Sequence, residues 1–403
     1  DIALGLEGLR RQDGIHAAAI VISPDTITKF LPIQQKGSNA EIVTQYEMHT
    51  VEQLGLLKMD FLGLRNLSIV DRTLELIGSE SLDIDNLKLD DEKTFKLFAE
   101  GKMTGVFQLE SRVAQSTSRS LKPKRFEDIV ALVALIRPGP LGAGMHNEFA
   151  DRANNRKEIE YLHSDLESIL NETYGVILYQ EQVMQIAEKI AGFNLQEADN
   201  LRVAMGKKIP KVMEEQRKKF TDGAVSNNYS EQFAIELFDQ IAYFAGYGFN
   251  KSHSVPYALL AYQTAYLKAN YPAEYIAACL TAVKRDKDRT AIFLSEARDM
   301  GVKVSTPDVN LSSSDFTVND NEILFGLSAV RNVGDITADK IVFERESNGD
   351  FKSIEEFLSR IDSRSLNKRG VEALIQGGGL DKFGHTRKGC LLYTSDAADD
   401  IRC

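Results

Sequence analysis

A lysine and an aspartate interrupt an apolar stretch near the start of the chain, residues 54–65. This stretch predicts a buried strand. One face of the strand carries the apolar side chains Leu57, Met59 and Phe61. Because side chains alternate between the faces of a strand, Lys58 and Asp60 share one face, about 7 Å apart. A charged side chain in a buried strand costs free energy unless it is paired or binds a metal. Two interpretations therefore stand: a structural ion pair, or a metal-binding carboxylate beside a lysine that binds phosphate.

A second candidate site is a glycine-flanked loop, residues 246–253, which reads Gly-Tyr-Gly-Phe-Asn-Lys-Ser-His. Ser254 fits the N-cap of a helix that runs to Ala269, with Pro256 early in that helix. Free amides and the helix dipole at such an N-terminus bind anions, and Lys251 adds a full positive charge. Taken alone, the loop fits an ordinary glycine-rich lead-in to a helix better than it fits a ligand site.

Other basic residues lie where helices are predicted to end or turn. Arg202, Lys207 and Lys208 surround the end of a predicted helix at 195–205, where cations either compensate the helix dipole or bind phosphate. Arg137 precedes a rigid Pro-Gly-Pro turn, which predicts either a phosphate contact or a buried ion pair. These positions are candidates for binding an anionic ligand.

One pair of carboxylates has the right spacing and the wrong context for a metal site. Asp83 and Asp85 are separated by a single residue, as in a strand that carries two metal ligands. Their neighbours are polar, whereas a strand that feeds a core has longer apolar flanks. We therefore predict that this pair belongs to a solvated linker.

The composition limits the class of protein. The chain has 403 residues, enough for two or three domains, and 43% are hydrophobic, which supports packed cores. Three cysteines without zinc-site spacing, and no apolar run long enough to span a bilayer, predict a soluble cytoplasmic protein. The net charge of −11 does not exclude a nucleic-acid ligand, since phosphate binding depends on local positive surface.

The elements that position these residues fall into three sections. Strands are predicted at 17–22 and 40–46, and a helix with an apolar stripe follows at 67–77. From about 71 to 300 the pattern is mainly helical, and one clear example is the predicted helix 126–135. The predicted fold class is therefore α+β.

The third section begins after residue 301, where short strand-like pieces replace the helical pattern. Residues 327–341 predict a helix-hairpin-helix: an apolar helix, a tight turn at Gly334 and a second helix. A weaker second copy is predicted at 366–380. In such units the turn amides can contact a phosphate without reading bases.

Several motifs, in order, resemble the alpha subunits of bacterial DNA polymerase III, the replicative DNA polymerases of the C family. Besides residues 54–65 they are 104–111 (TGVFQLES), 137–141 (RPGPL), 174–184 (YGVILYQEQVM), 204–208 (AMGKK) and 245–254 (AGYGFNKSHS). The resemblance runs from about Leu6 to about Lys388. It implies part of a polymerase palm with a nucleotidyltransferase-like sheet, then mainly helical fingers and a helix-hairpin-helix region.

The same resemblance implies domain limits. Residues 1–70 correspond to the C-terminal part of the palm with the end of the thumb, 71–300 to the fingers, and 301–390 to the helix-hairpin-helix region. Residues 391–403 fit neither the preceding pattern nor the family and are interpreted as a non-native tail.

The activity implied by the family is the addition of deoxynucleoside triphosphates to a primer 3′ end, with two Mg²⁺ ions. Asp60 corresponds to the third of three metal-binding aspartates, and the other two are expected upstream in an Asp-x-Asp strand. The chain alone is therefore expected to be inactive. The implied triphosphate contacts are Lys58, Arg202, Lys207, Lys208 and Lys251. Val203 departs from the family, which usually has a basic residue there, and this departure bears on one of the implied phosphate contacts.

The remaining implied contacts concern the nucleotide and the DNA. The nucleotide-binding loop contributes Tyr247, Phe249, Asn250, Ser252 and His253, and either Tyr247 or Phe249 could stack on a base or block a ribose 2′-hydroxyl. Arg137, Gly334 and Lys340 are implied contacts to primer-template DNA. The intact protein would also bind a sliding clamp and other replicase subunits.

Two alternatives belong to other functional classes. The chain could serve as a non-catalytic DNA-binding or assembly module, and an upstream Asp-x-Asp strand would discriminate this from the enzyme. An unrelated NTP-using enzyme has less support, because the sequence contains no Gly-x-x-x-x-Gly-Lys-Ser/Thr loop.

Overall fold

The structure is a computed structural model that describes residues 2–9, 14–16, 18–35, 40–61, 63–78, 82–207, 210–245, 247–362 and 364–392. Lys208, Gly246 and the predicted tail from residue 393 onward lie outside the described residues. The chain divides into two compact units, residues 1–65 and 66–403, and each is described by itself. The domain limits inferred from the sequence remain a prediction.

The first unit is built from short strands and helices. They are α1 (Ile2–Leu6), β1 (Ala19–Ile22), β2 (Ile33–Gln35), β3 (Ile42–Thr44), α2 (Met48–Gln53) and β4 (Leu57–Asp60). Strands β1 and β4 pair antiparallel with Ala19 opposite Asp60, and β2 pairs antiparallel with β3. A small core of Leu31, Val51 and Leu56 packs against Val21 of β1. The predicted strands at 17–22 and 40–46 are therefore present in shortened form.

The prediction that the Asp60 strand is buried is wrong. Leu57 is 55% exposed, Met59 42% and Phe61 61%, and Ile20, which lies opposite Met59 in β1, is 56% exposed. The alternation of the two faces was predicted correctly. The burial of the apolar face was not, because β1 and β4 form a two-stranded ribbon, and among the described residues of this unit no buried side chain covers that face. Periodicity identifies an apolar face but not the layer that covers it.

The second unit begins with a long helical section. Its helices are α3 (Arg65–Ile77), α4 (Glu92–Glu100), α5 (Arg112–Leu121), α6 (Phe126–Leu135), α7 (Pro138–Gly142), α8 (Met145–Ala153), α9 (Glu167–Leu170), α10 (Gln180–Ala191), α11 (Leu195–Lys207), α12 (Pro210–Ser226), α13 (Glu231–Ala245), α14 (Lys251–Asn270), α15 (Pro272–Val283) and α16 (Lys287–Asp299). Helix α6 has the limits predicted from its apolar pattern, and α12 begins with proline, whose missing N–H costs nothing at a first position.

Two hydrophobic cores lie between these helices among the residues that the structure describes. One packs α4, α5, α6 and α8 around α14, with Phe98 and Phe149 fully buried. The other packs α10, α11, α12 and α13 together. In the second core α12 crosses α10 so closely that a Cβ on Gly223 would lie 2.2 Å from the carbonyl oxygen of Ala191. The segment 176–179 contributes side chains to both cores, so it joins them just before α10.

A buried ion pair lies at the end of α14. The side chain of Lys268 is 1% exposed, and its Nζ lies 2.7 Å from a carboxylate oxygen of Glu296 on α16. The same ammonium donates to the main-chain oxygens of Lys102 at 2.8 Å and Thr104 at 2.7 Å. This pair satisfies a charge that would otherwise be costly at such depth.

The last section combines a small sheet with three helices. Strands β5 (Lys303–Ser305), β6 (Thr317–Asn319) and β7 (Glu322–Leu324) form the order β5-β7-β6, with β5 parallel and β6 antiparallel to β7. Helices α17 (Asp335–Asn348), α18 (Ile354–Arg360) and α19 (Lys368–Gly377) pack around a core of their own. The predicted α+β class is confirmed by this mixture of long helices and small sheets.

The predicted hairpin differs in detail. Its first helix is only the 3-10 turn Leu327–Ala329, and Gly334 is extended, with φ −84°. The left-handed residue of the turn is Asn332, with φ 62°. Asparagine tolerates this conformation, which is why glycine alone was a misleading marker of the turn. Among the described residues, no helix is long and apolar enough to cross a membrane.

Candidate active site

Asp60 lies at the end of β4 in a small polar cluster. Lys58 Nζ donates to Asp60 Oδ1 at 2.7 Å, and His16 Nε2 lies 4.0 Å from Oδ2. The side chain of Asp60 is 38% exposed. The hydrogen bond from Lys58 lowers the pKa of Asp60, the charges of Lys58 and His16 add smaller contributions, and slight burial opposes them. The carboxylate is therefore ionised and accessible to a ligand.

This cluster combines the two interpretations made from the sequence. The Lys58–Asp60 ion pair exists, but the carboxylate is too exposed for pairing to be forced by burial. Mg²⁺ is commonly held by one or two carboxylates together with water and substrate phosphate, and one exposed, ionised carboxylate fits as a single ligand. Over the described part of the chain, no group of three or more His, Cys, Asp and Glu side chains could hold a metal alone. The residues present thus fit one ligand of a larger set.

A cavity of about 900 Å³ adjoins the cluster inside the first unit. Its wall includes His16, Val21 and Lys58, together with residues 42–48 of β3 and the start of α2. The imidazole of His16 lies beside the Asp60 carboxylate and is not part of a core.

A separate candidate site, inside the second unit, is the start of α14, and here the predicted N-cap is wrong. The helix begins at Lys251, and the side chain of Asn250 accepts from the main-chain N–H of His253 at 2.9 Å. Ser254 lies one turn inside, buried, where its hydroxyl donates to the Val130 carbonyl at 2.8 Å. Asparagine and serine cap helices equally well, so the sequence left the choice open and tertiary burial decided it. Residues 251–253 are consequently first-turn residues rather than loop residues.

Two glutamates neutralise this helix start. Both carboxylate oxygens of Glu181 accept from the main-chain N–H of Lys251, at 3.0 Å each. Both oxygens of Glu172 accept from Lys251 Nζ, at 2.7 and 2.8 Å. The positive end of α14 and its lysine therefore already carry anionic partners. A phosphate that binds here has to compete with them.

The loop before α14 is fixed to the start of α10 by main-chain hydrogen bonds. Phe249 N–H donates to the Leu178 carbonyl at 3.1 Å, and Gln180 N–H donates to the Phe249 carbonyl at 2.9 Å. The Gln180 side chain links the loop to α11, because its Nε2 donates to the Gly248 carbonyl at 3.3 Å and its Oε1 accepts from Arg202 Nη1 at 3.5 Å. Arg202 and the glycine-flanked loop, predicted separately, are thus neighbours.

Arg137 also holds this loop. Its Nη2 donates to the Tyr247 carbonyl at 2.7 Å, and its Nε donates to the Ala134 carbonyl at 2.9 Å. The guanidinium lies 4.2 Å from the ring centre of Phe249. Burial lowers the pKa of Arg137. In place of the buried ion pair that was one alternative for this residue, the structure shows main-chain and aromatic contacts. The other alternative, a phosphate contact, stays a prediction.

The aromatic residues of the loop continue along α14. The rings of Phe249 and His253 lie 5.6 Å apart, those of His253 and Tyr257 4.3 Å apart, and those of Tyr257 and Phe107 5.3 Å apart. Tyr247 lies instead over the turn after Arg137, where a Cβ built on Gly139 would lie 2.2 Å from its ring. Phe249 and Tyr247 are therefore packed in different ways.

The remaining predicted site residues divide into three cases. The side chain of Lys207 and all of Lys208 lie outside the described part of the structure. Lys340 is exposed on α17, where its Nζ donates to Ser365 Oγ at 2.6 Å. Beside Gly334, the first residue of α17 is Asp335, and its carboxylate pairs with Lys284 and Arg285.

The carboxylate pair at 83–85 is a linker, as predicted. Both Asp83 and Asp85 are exposed and stand outside any strand, and the Asp83 side chain accepts from the side chain of Asn86 at 2.8 Å. Sequence reasoning identified neither Glu172 nor Glu181 as a partner of Lys251. A local signal for Glu172 was absent, because its partner Lys251 is 79 positions further along the chain.

Three family models match the chain. One describes the bacterial DNA polymerase III alpha NTPase domain and matches residues 1–63; one describes the finger domain of the same subunit and matches residues 66–228. The third describes a helix-hairpin-helix motif and matches residues 301–390.

Curated relatives match nearly the whole chain. DNA polymerase III subunit alpha of Thermus aquaticus is 48% identical over 95% of this chain and 32% of its own length. The subunit of the same name from Mycobacterium tuberculosis strain H37Rv is 44% identical over 99% of this chain and 34% of its own length. That of Escherichia coli K12 is 43% identical over 98% of this chain and 35% of its own length. The chain thus spans about a third of these relatives.

Proposed function

Because the chain belongs to the family of bacterial DNA polymerase III alpha subunits, we propose that it is part of a template-directed DNA polymerase. The longer protein would add deoxynucleoside triphosphates to a primer 3′ end during chromosome replication. The observation that carries this proposal is the joining of Arg202, the 247–250 loop and Lys251 at the start of α10 and α14. Cations gathered beside a tight main-chain loop suit a triphosphate.

We propose Asp60 as a metal ligand in the intact enzyme. Its ionised carboxylate suits Mg²⁺, and the other carboxylates of a two-ion site would come from residues of the longer protein. Bound Mg²⁺ would neutralise the triphosphate and lower the pKa of the primer hydroxyl. Lys58 keeps the Asp60 carboxylate ionised and is itself a candidate phosphate contact.

The second unit would bind the incoming nucleotide and the DNA. Proposed triphosphate contacts are Arg202, Lys207, Lys208 and Lys251, and Tyr247, Phe249, Asn250, Ser252 and His253 would surround the sugar and base. Arg137, Gly334 and Lys340 remain proposed contacts to primer-template DNA. Arg137 would act mainly by holding the loop, since two of its donors bond main-chain oxygens. A sliding clamp and other replicase subunits are proposed partners of the longer protein.

Lys251 provides the test of the nucleotide site. In the full-length protein, Lys251→Gln is expected to raise KM for the incoming nucleotide about ten- to a hundredfold, since a hydrogen bond to a charged group is worth roughly 1.5–3 kcal/mol. Steady-state primer extension measures this effect. The matched control is Lys219→Gln, which removes an exposed lysine paired with Glu197 and should leave KM within about twofold. An unchanged KM in Lys251→Gln would exclude this lysine from the nucleotide site.

The glutamate partner gives an effect of opposite sign. If a phosphate has to displace Glu172 from Lys251, then Glu172→Gln weakens the competing anion and should lower KM severalfold. If Glu172 only holds the lysine in place, KM should rise instead. The direction of the change in primer-extension KM therefore distinguishes competition from support.

A non-catalytic DNA-binding or assembly module is the second candidate. The match of residues 301–390 to a helix-hairpin-helix motif favours it, as does the lack of a complete metal-binding cluster among the described side chains. Primer extension by the longer protein, and the presence in it of an Asp-x-Asp strand, would decide for the polymerase.

A further inference from the structure

Gly139 lies directly against the ring of Tyr247. A Cβ at this position would lie 2.2 Å from Cδ1, 2.8 Å from Cε1 and 3.3 Å from Cγ of that ring. Real Cβ atoms do not approach carbon atoms so closely, so a side chain here would force the ring or the main chain to move. The glycine is not required by the backbone, because its φ lies outside the left-handed region. What it provides is space for the ring.

The main chain on the Gly139 side of this contact is stiff. Gly139 stands between two prolines in the first turn of α7, and a proline ring fixes φ near −65°. Pro140 is buried, and its packing holds the turn in place. The turn therefore cannot retreat easily from an added methyl group.

The main chain on the Tyr247 side is fixed as well. Arg137, two residues before the glycine, donates to the Tyr247 carbonyl at 2.7 Å. Two residues further on, the main chain of Phe249 bonds both Leu178 and Gln180. The ring centre of Tyr243, which lies on α13, is 6.4 Å from the ring centre of Tyr247. With both backbones held, the Tyr247 ring is the part that has to move.

Phe249 is not subject to the same control. Arg137 covers one face of its ring at 4.2 Å, and His253 lies at its edge, 5.6 Å between centres. The ring of Phe249 therefore lies between two side chains, whereas the ring of Tyr247 lies so close to Gly139 that a Cβ there would overlap it. Of the two aromatic residues proposed to contact the nucleotide, Tyr247 is the one whose ring packs directly on a glycine.

We infer that Gly139 is a positioning residue for nucleotide selection, because it sets where the Tyr247 ring lies beside the proposed nucleotide site. The inference rests on the proposed function. It assigns Gly139 a role through Tyr247 and not through DNA or phosphate. The property affected is the choice between deoxyribonucleotides and ribonucleotides, since a shifted ring changes the space beside the sugar.

The experiment uses the full-length protein with four variants: Gly139→Ala, Tyr247→Ala, the double variant, and Gly142→Ala as the matched control. Gly142 belongs to the same short helix, and a Cβ there would meet nothing within 4 Å. Primer extension gives the ratio of kcat/KM for dCTP to that for CTP. Thermal unfolding is measured in parallel, so that a structural coupling is seen independently of activity.

Gly139→Ala is expected to change the dCTP/CTP ratio about tenfold and to lower the melting temperature, while Gly142→Ala changes the ratio by less than about twofold. In the Tyr247→Ala background, Gly139→Ala should have no further effect on either quantity. Equal effects of Gly139→Ala in both backgrounds would overturn the inference, because the ring would not be the mediator. Coupling in the melting temperature alone, with a dCTP/CTP ratio unaffected by Tyr247→Ala, would also overturn it and would trace the failure to the proposed role of Tyr247.

Discussion

Replacing Asp60 by asparagine in the full-length protein should reduce nucleotide incorporation about a thousandfold while leaving the fold intact. One preorganised electrostatic group at a reacting centre is worth on the order of 10²–10³ in rate, and a lost metal ligand belongs at the upper end. The fold should survive because the side chain is 38% exposed and contributes to no core. Asparagine keeps the size and an acceptor for Lys58 but loses the charge that a metal requires.

Single-nucleotide primer extension measures the loss, and thermal unfolding confirms that the variant is folded. Asp25→Asn is the matched control, since Asp25 is an exposed carboxylate of the same unit that is paired with Lys29 and lies in no proposed site. This control should incorporate nucleotides at the normal rate. Normal turnover by Asp60→Asn would exclude the carboxylate from metal binding.

The second large effect is expected for Glu296→Gln. Its partner Lys268 is 1% exposed, and the amide of glutamine keeps a hydrogen bond but removes the counter-charge at 2.7 Å. Breaking a buried ion pair on one side costs about 3–5 kcal/mol, because it leaves an uncompensated buried charge. We expect the free energy of unfolding in urea, followed by circular dichroism, to fall by about 3 kcal/mol.

This loss should depend on pH in a defined direction. Burial lowers the pKa of Lys268, and the charge of Glu296 opposes that shift, so the pKa falls further in Glu296→Gln. A lysine with a lowered folded-state pKa destabilises the fold below that pKa, and the effect fades as pH rises towards the unfolded-state value. The difference from the wild-type chain should therefore shrink as the pH rises towards the unfolded-state lysine pKa of about 10.4.

Two further variants test the explanation. Glu322→Gln removes a carboxylate paired with Lys303, whose side chain is 76% exposed, and should cost less than about 1 kcal/mol. The double variant Lys268→Met, Glu296→Leu removes both charges and should be less destabilised than Glu296→Gln alone. A double variant that is equally destabilised would assign the effect to lost packing.

Local patterns predicted much of the secondary structure. Helix α6 was predicted residue for residue, because an apolar run ended by proline leaves few alternatives. The predicted start of α14 was one turn too late, because asparagine and serine cap helices equally well, and only the burial of Ser254 shows that Asn250 is the cap. The apolar face of β4 was recognised, but its exposure was not. Whether such a face is buried depends on residues that are far from it in the sequence.

The candidate site was predictable in its cations and not in their partners. Arg202 and Lys251 were chosen from motifs and helix ends, and the structure joins them through Gln180 and the 247–250 loop. Glu172 could not be found in this way, because its contact with Lys251 spans 79 positions. The role of Gly139 was equally hidden, since a glycine in a Pro-Gly-Pro turn is explained locally before any distant ring is known.

The main-chain bridge between Leu178, Gln180 and Phe249 has a mechanical consequence. On one side it continues into α10, which is packed rigidly with α11, α12 and α13; on the other it continues into α14 at the centre of the neighbouring core. A small rotation of the α10–α13 bundle would displace the loop before α14 as well, because peptide bonds and main-chain hydrogen bonds connect the two. We expect the aromatic loop to move with that bundle, so that any displacement of α10–α13 also displaces the main chain of Phe249.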